Sequence, residues 1–318
     1  MSPAPAPPTL APPTASLRQV TLLSLDYFLR YVDQVRAGFG GDALKGLIFV
    51  ALVQGNVGHI DRDRDQSLRF GDVHAVPPDE LRRPIRILPL ADSLRLPRES
   101  VRRKVQLLAA DGFIVKTPKG FIAPASVLSR PGNARALAAN AGKIADLMEG
   151  LATMGAAGLA AETRGLEIPT THHRLLARIT SDFCLRCLDE LRRLFDGEVL
   201  TGLIFLAVAA ANFDAFKRGD APMRAGAERR PVSIQSLAAQ IGLPRETVRR
   251  HVQKLTALNL CIPAGTGSRA GLVVPPGVIE RPQFLAAAQR NEVNVRWLVT
   301  QLRRAGVLPP AGVQASEA

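Results

Sequence analysis

One stretch of this chain is written twice. Residues 82–108 align without a gap to residues 229–255, and 16 of the 27 positions are identical. The heart of the first copy is Leu96-Pro97-Arg98-Glu99-Ser100-Val101-Arg102-Arg103-Lys104-Val105-Gln106. The second reads Leu243-Pro244-Arg245-Glu246-Thr247-Val248-Arg249-Arg250-His251-Val252-Gln253. Upstream, Asp26, Arg30, Gly46-Leu47-Ile48-Phe49 and Asn56 recur as Asp182, Arg186, Gly202-Leu203-Ile204-Phe205 and Asn212. Downstream, Gly120 and Pro124 recur as Gly271 and Pro275 after a four-residue insertion, and Asn140, Leu147, Leu151 and Gly155 as Asn291, Leu298, Leu302 and Gly306. A repeat of this length is one folding unit used twice. The expected organisation is therefore unit 1 at 19–155, a linker at 156–178 and unit 2 at 179–308. Residues 1–18, rich in Pro and Ala, and 309–318 read as disordered tails.

Each unit reads as mainly α with a small β wing. Leu25, Phe28, Leu29, Val32 and Val35 recur at helical spacing, and Ala43–Val57 is nearly all apolar, as in a helix surrounded by protein. A polar loop with alternating Asp and Arg follows (Asp61 to Asp65). Next come an expected short strand (Ile85–Leu88), a helix (Leu90–Leu94), a tight turn and a second helix (Pro97–Ala110). Phe113–Lys116 and Phe121–Ala123 read as strands joined by Thr117-Pro118-Lys119-Gly120. A long Ala/Leu helix closes each unit, near 133–154 and 284–305. These closing helices fit either packing on each other within the chain or pairing two chains as a homodimer.

Composition narrows the partner. The chain has 41 Lys and Arg against 28 Asp and Glu, a formal charge of +13, which favours a polyanion, with nucleic acid ahead of an anionic membrane. No secretory signal opens the chain, and three cysteines make no disulfide framework, so a reducing cytoplasm is expected. The apolar stretches Leu44–Val57 and Val199–Phe213 fall short of the roughly 18–20 residues needed to cross a bilayer. They read as core helices rather than membrane spans.

The repeated helix carries the chemistry. Val101, Val105 and Leu108 fall at i, i+4 and i+7 and form a buried stripe. The opposite face then holds Glu99, Arg103 and Gln106, with Arg102 beside them and Arg98 at the start; Val248, Val252 and Leu255 likewise leave out Glu246, Arg250 and Gln253, flanked by Arg249 and Arg245. Arg pairs with the O6 and N7 of guanine, Glu accepts from cytosine N4, and Gln pairs with adenine. Ser100 and Thr247 suit phosphate, and Lys104, Lys119, His251 and Arg269 are candidate backbone contacts. Residues 82–104 hold eight Arg or Lys against Asp92 and Glu99, an excess that attracts phosphate.

Arg-Glu-[Ser/Thr]-Val-x-Arg after a short helix ending in Leu-Pro resembles the recognition helix of bacterial winged helix-turn-helix regulators, most closely the Crp/Fnr class and more distantly the GntR and MarR types. The likeness covers about 45 residues per copy. It implies base-edge contacts for Arg98, Glu99, Arg103, Arg245, Glu246 and Arg250, and phosphate contacts for Ser100 and Thr247. The β-roll that senses effectors in the Crp/Fnr class has no counterpart among these residues, so cyclic-nucleotide sensing is not carried over.

Other chemistry finds little support. Cys184-x-x-Cys187 replaces Phe28 and Tyr31 of the sister copy, and Cys261 replaces Ile114, so all three read as small buried side chains with no completed zinc set. His172-His173 reads as solvated linker. With no P-loop, Gly-x-Gly-x-x-Gly or Gly-x-Ser-x-Gly motif, neither an enzyme nor a cofactor site is expected. The expectation is a transcriptional regulator that reads double-stranded DNA, in the cytoplasm and at the nucleoid, with any effector unspecified. Two alternatives are a plasmid-type replication initiator with paired winged helices, favoured by repeated sites beside an origin, and a winged-helix scaffold of chromosome organisation, which expects a non-basic recognition helix. Phosphate-driven binding is expected to fall steeply, by about 10³-fold or more between 50 and 200 mM salt if six or more phosphates are neutralised. Affinities measured by fluorescence anisotropy across that range check it, and a flat salt dependence favours the scaffold.

Overall fold

The computed structural model describes residues 15–159, 163, 165–212, 229–267 and 270–310. It is mainly helical, with two small antiparallel two-stranded sheets. The first half runs α1 (Ala15–Gly38), α2 (Ala43–Val57), α3 (Arg64–Arg69), α4 (Ile87–Leu94), α5 (Arg98–Ala110), β1 (Val115–Thr117), β2 (Gly120–Ile122), α6 (Ala125–Leu128) and α7 (Pro131–Thr153). The second runs α8 (His173–Leu194), α9 (Val199–Asn212), α10 (Ile234–Ile241), α11 (Arg245–Ala257), β3 (Ile262–Ala264), β4 (Gly271–Val273) and α12 (Pro282–Arg304).

The two nearly all-apolar helices, α2 and α9, sit inside the protein. Ile48 and Leu52 on α2 and Ile204, Ala207 and Val208 on α9 are fully buried, and α2 is covered by α1, α4, α5, β2 and α8. The elbows that deliver them are alike, α1 to α2 turning through 97° and α8 to α9 through 101°. Gly46 and Gly202 make these elbows tight. A Cβ on Gly46 would lie 2.4 Å from Val35 Cγ1, and one on Gly202 would lie 3.1 Å from Leu191 Cβ. Among the described residues no single helix is long and apolar enough to cross a membrane, although each bent pair passes that test by length and composition.

Each core helix ends on a buried asparagine that organises the hairpin. Asn56 Nδ2 donates to the carbonyls of Arg83 (2.8 Å) and Phe121 (3.1 Å), and its Oδ1 accepts from Ala123 N–H (2.9 Å). Asn212 does the same with Arg230 (2.7 Å), Leu272 (3.2 Å) and Val274 (2.7 Å). A buried amide that satisfies three backbone groups fixes the relation of helix, chain and hairpin, since any one left unpaired is costly.

The four long helices α1, α7, α8 and α12 form the centre. Helix α1 packs on α7 and α12, and α8 packs on the same two. The rings of Tyr27 and Phe183 meet between α1 and α8 at 5.9 Å. The closing helices α7 and α12 each pack mainly on α1 and α8 rather than on each other, so the first of the two alternatives for them, packing together within the chain, is not the main contact. Two main apolar clusters result. The larger joins the central helices to α9, α10, α11 and the second hairpin, and the smaller joins α2, α4, α5 and the first hairpin.

Several boundaries differ from the sequence reading. The expected strand at Ile85–Leu88 shrinks to one bridge, Ile85 to Phe121, because α4 begins at Ile87. Pro89 sits in its first turn, where a missing N–H breaks no helical bond. Pro97 lies one residue before α5, as its N-cap, rather than at the first helical position. Residues 16–18 are helical rather than tail, and residues 1–14 and 311–318 lie outside the described residues.

The expected linker is partly core. Its last six residues, 173–178, open α8, and His173, Arg174 and Arg178 are buried. His173 Nε2 lies 3.0 Å from the Ile168 carbonyl, so it is not a solvated loop residue. Arg174 donates to the carbonyls of Val73 (2.9 Å) and Leu128 (2.8 Å). Arg178 donates to those of Phe70 and Ser67 (both 2.8 Å) and pairs with Asp61 at 2.7 Å. Burial, with Arg82 and Arg178 nearby, pulls the Arg174 pKa down to about 10. The first turns of α8 thus clamp the Asp61–Val73 segment of the first half, which the sequence reads as a loop but which contains the short helix α3.

A second contact joins the halves through a glycine. Gly242 ends α10 with φ 70°, and a Cβ there would come within 2.2 Å of the Gly41 carbonyl oxygen. Gly112 has nearly the same φ, 68°, with nothing within 4 Å of its position. Gly112→Ala should cost about 1–2 kcal/mol, the left-handed backbone penalty alone. Gly242→Ala should cost a further 1–3 kcal/mol or so for the forced displacement. Urea unfolding of the two variants measures the difference, and equal losses contradict the contact.

Candidate nucleic-acid interface

In both halves a short helix, a three-residue connection, a longer helix and a two-stranded hairpin follow one another. The α4 helix ends at Leu94, and Arg95, Leu96 and Pro97 lead into α5; α10 ends at Ile241, and Gly242, Leu243 and Pro244 lead into α11. The turn residue is left-handed in both, at Arg95 (φ 50°) and Gly242. In α5, Val101, Val105 and Leu108 are fully buried; in α11, Val248 and Leu255 are, with Val252 nearly so. The valine stripe fixes the rotation of each helix about its axis, so the opposite side is turned outward.

That outward side carries most of the expected residues. Arg98, Glu99, Arg102, Arg103 and Gln106 are exposed, as are Arg245, Glu246, Arg249, Arg250 and Gln253; Ser100 and Thr247 are half-buried at the edge. Glu99 holds Arg102 through two bonds of 2.8 and 2.6 Å, and Glu246 holds Arg249 through two of 2.9 and 2.8 Å. These hydrogen bonds keep both carboxylates ionised below the usual carboxylate range. Arg98, Arg103, Arg245 and Arg250 make no ion pair or hydrogen bond among the described residues. Each face therefore offers two free guanidinium groups beside one already neutralised.

Three expectations for this surface are corrected. Lys104 does not face outward: its ammonium pairs with Asp42, which also caps α2 by accepting from Lys45 N–H at 2.9 Å. His251, the corresponding residue, is buried, with Nδ1 2.7 Å from Thr201 Oγ1 and 3.9 Å from Glu198. Both side chains lie on the inner flank of the helix, where the acidic residue at the start of α2 or α9 receives them. Arg82 is buried too, held by Asp79 (3.1 Å) and the Pro77 carbonyl (2.7 Å), so it adds nothing to the surface charge.

The hairpins lie beside the helices. In the first, Val115 pairs with Ile122 and Thr117 with Gly120, leaving Lys116 and Lys119 exposed near the turn. In the second, Ile262 pairs with Val273 and Ala264 with Gly271; Arg269 lies outside the described residues. The cysteines are internal: Cys184 and Cys261 are buried and Cys187 half-buried, and burial pushes the Cys261 and Cys187 thiols up to about 12. No cluster of His, Cys, Asp and Glu able to hold a metal occurs among the described residues. Sequence reading missed the acidic anchors Asp42 and Glu198, although both stand at the N-terminal edge of an apolar run, where a helix cap belongs.

No family model matches this sequence, and no curated protein or solved structure matches it either.

The His251 contact has a measurable consequence. Burial, reinforced by Lys254 and Arg250 and opposed by Glu198, lowers its pKa below the ordinary 6.5. The unfolded chain therefore binds the proton more readily than the folded one. The stability this provides is complete above about pH 6.5 and is lost as pH falls through the folded-state pKa. The wild type should lose more stability than His251→Gln between pH 7.5 and 5.5, as read from urea midpoints. An equal loss in both proteins rules out His251 as the source.

Proposed function

We propose that this chain is a sequence-specific DNA-binding regulator built as a tandem duplication of a winged helix-turn-helix unit. The observation that carries this reading is the twice-presented Arg-Glu-x-Val-Arg-Arg face, whose two free guanidinium groups per helix are held outward by a buried valine stripe. Helices α5 and α11 act as recognition helices, α4 and α10 as their supports, and the two hairpins as wings. The resemblance to Crp/Fnr-type recognition helices points the same way, and the net charge of +13 supplies the attraction to phosphate.

The residues divide by role. Arg103 and Arg250 are central and free, and suit the O6 and N7 of a guanine. Arg98 and Arg245, in the first turn, reach the adjoining base or phosphate. Glu99 and Glu246 hold Arg102 and Arg249 in place, so a base contact by either carboxylate exchanges that ion pair for a bond to cytosine N4. Lys116 and Lys119 on the first wing contact the backbone. Because the two helices belong to one chain, one molecule supplies what a two-fold dimer usually supplies, two similar half-sites read together.

Fragments selected from random DNA by the full-length protein should contain two related G·C-containing half-sites about one helical turn apart, or a multiple of that. On such a fragment, Arg103→Ala and Arg250→Ala should each cost about 1–3 kcal/mol and relax the preference at one base pair of one half-site. Lys104→Ala should leave that preference intact. Unchanged specific binding by the double variant in a gel-shift assay refutes major-groove reading by these helices.

A further inference from the structure

The two halves contain corresponding cavities with different walls. One, of about 200 Å³, lies among α1, α2, α7 and α8 and is lined in part by Gln34, Asn133, Asn140, Arg174, Arg178 and Ser181. Its counterpart, of about 180 Å³, lies among α1, α8, α9 and α12, with an almost wholly apolar wall. In the register of the repeat, Leu22 stands where the first cavity has Arg178, Leu25 where it has Ser181, and Phe284 where it has Asn133. Three of the polar residues of one cavity are thus hydrocarbon in the other, while Gln34, Asn140 and Arg174 keep polar counterparts in Glu190, Asn291 and Arg18.

One polar atom in the apolar wall has lost its partner. In the first half the Tyr27 hydroxyl donates to Asn140 Oδ1 (2.9 Å), and Asn140 Nδ2 donates to Thr180 Oγ1 (3.0 Å). In the second, Asn291 Nδ2 donates to Ser24 Oγ (2.7 Å), but the residue matching Tyr27 is Phe183. Without that hydroxyl, Asn291 Oδ1 accepts no hydrogen bond from the described residues. At the rim, Arg18 Nη2 pairs with Glu280 at 3.2 Å, its Nε being buried without a hydrogen-bond partner, and Glu190 pairs with Arg290 at 2.7 Å.

An apolar cavity of roughly 150 Å³ is large enough to hold benzene, and the oxygen of the half-buried Asn291, with no donor from the described residues, is open to one that a ligand brings. We propose that the cavity among α1, α8, α9 and α12 is a binding site for an uncharged, single-ring molecule bearing one hydroxyl, a simple phenol. Its ring takes the apolar space beside Phe205 and Phe284, and its hydroxyl donates to Asn291 Oδ1. The site spans both halves, since α1 belongs to the first and α9 carries α11 of the second. It stands whether or not the protein binds DNA.

Calorimetric titration of the full-length protein tests it, with 4-ethylphenol as the probe and ethylbenzene as its hydroxyl-free match. The wild type should bind 4-ethylphenol about tenfold more tightly than ethylbenzene, the worth of one hydrogen bond. Ala288→Phe, which places a ring in the cavity at a half-buried position, should abolish binding of both while circular dichroism stays native. Phe183→Tyr restores the missing hydroxyl and should bring the two probes to within about twofold of each other, with ethylbenzene unaffected. Equal wild-type affinities for the two probes, unchanged binding in folded Ala288→Phe, or no binding of either probe because other parts of this chain fill the space overturns the proposal.

Discussion

Two helices with no polar face, α2 and α9, have to be covered on every side, and this requirement arranges the rest of the molecule. Helix α1 crosses α2 at the bare Gly46, while α4, α5 and the first hairpin close the flanks, and α8 of the other half takes part of what remains. The same holds for α9 with Gly202, α10, α11 and the second hairpin, and here α1 is the visitor. Because each apolar helix borrows cover from the other half, the halves interlock rather than sit side by side. Four long helices and an apolar cluster shared by both halves follow from that exchange.

Polar groups inside this arrangement do the aiming. Asn56 and Asn212 tie the end of each core helix to its hairpin through three backbone hydrogen bonds apiece. Asp42 and Glu198, at the opposite ends, draw in the middle of α5 and α11 through Lys104 in one case and through Thr201 with His251 in the other. With the valine stripe buried and the inner flank anchored, one face is left to solvent, and it carries the free arginines. The partners differ between the halves while the geometry is kept: Lys104 alone meets Asp42 in one, whereas Glu198 takes the Lys254 ammonium together with the Thr201 hydroxyl, which also lies against the His251 imidazole, in the other.

The halves are alike but not interchangeable. Arg174 and Arg178 hold the Asp61–Val73 segment, whereas Arg18 and Leu22, at the corresponding positions of α1, make a rim ion pair and an apolar wall. Tyr27 completes the buried polar set of Asn140, and Phe183 leaves that of Asn291 open.

Much of the architecture is legible in the residues themselves. The repeat marks two like units, periodicity marks their helices, and Val101, Val105 and Leu108 tell which side of α5 is buried, since helical spacing alone places them on one stripe. The exposed positions of Arg98, Glu99, Arg103 and Gln106 follow directly. Charge did not tell inside from outside. Arg82, Lys104, Arg174, Arg178 and His251 look in the sequence like surface or linker residues, yet each is drawn inward, Arg82 by its near neighbours Asp79 and Pro77 and the others by groups that other segments supply. Local sequence determined which elements form and how each is rotated. Tertiary structure alone decided that Lys104, Arg174 and Arg178 are spent on the fold, because the carbonyls and carboxylates that receive them lie far from them in the chain.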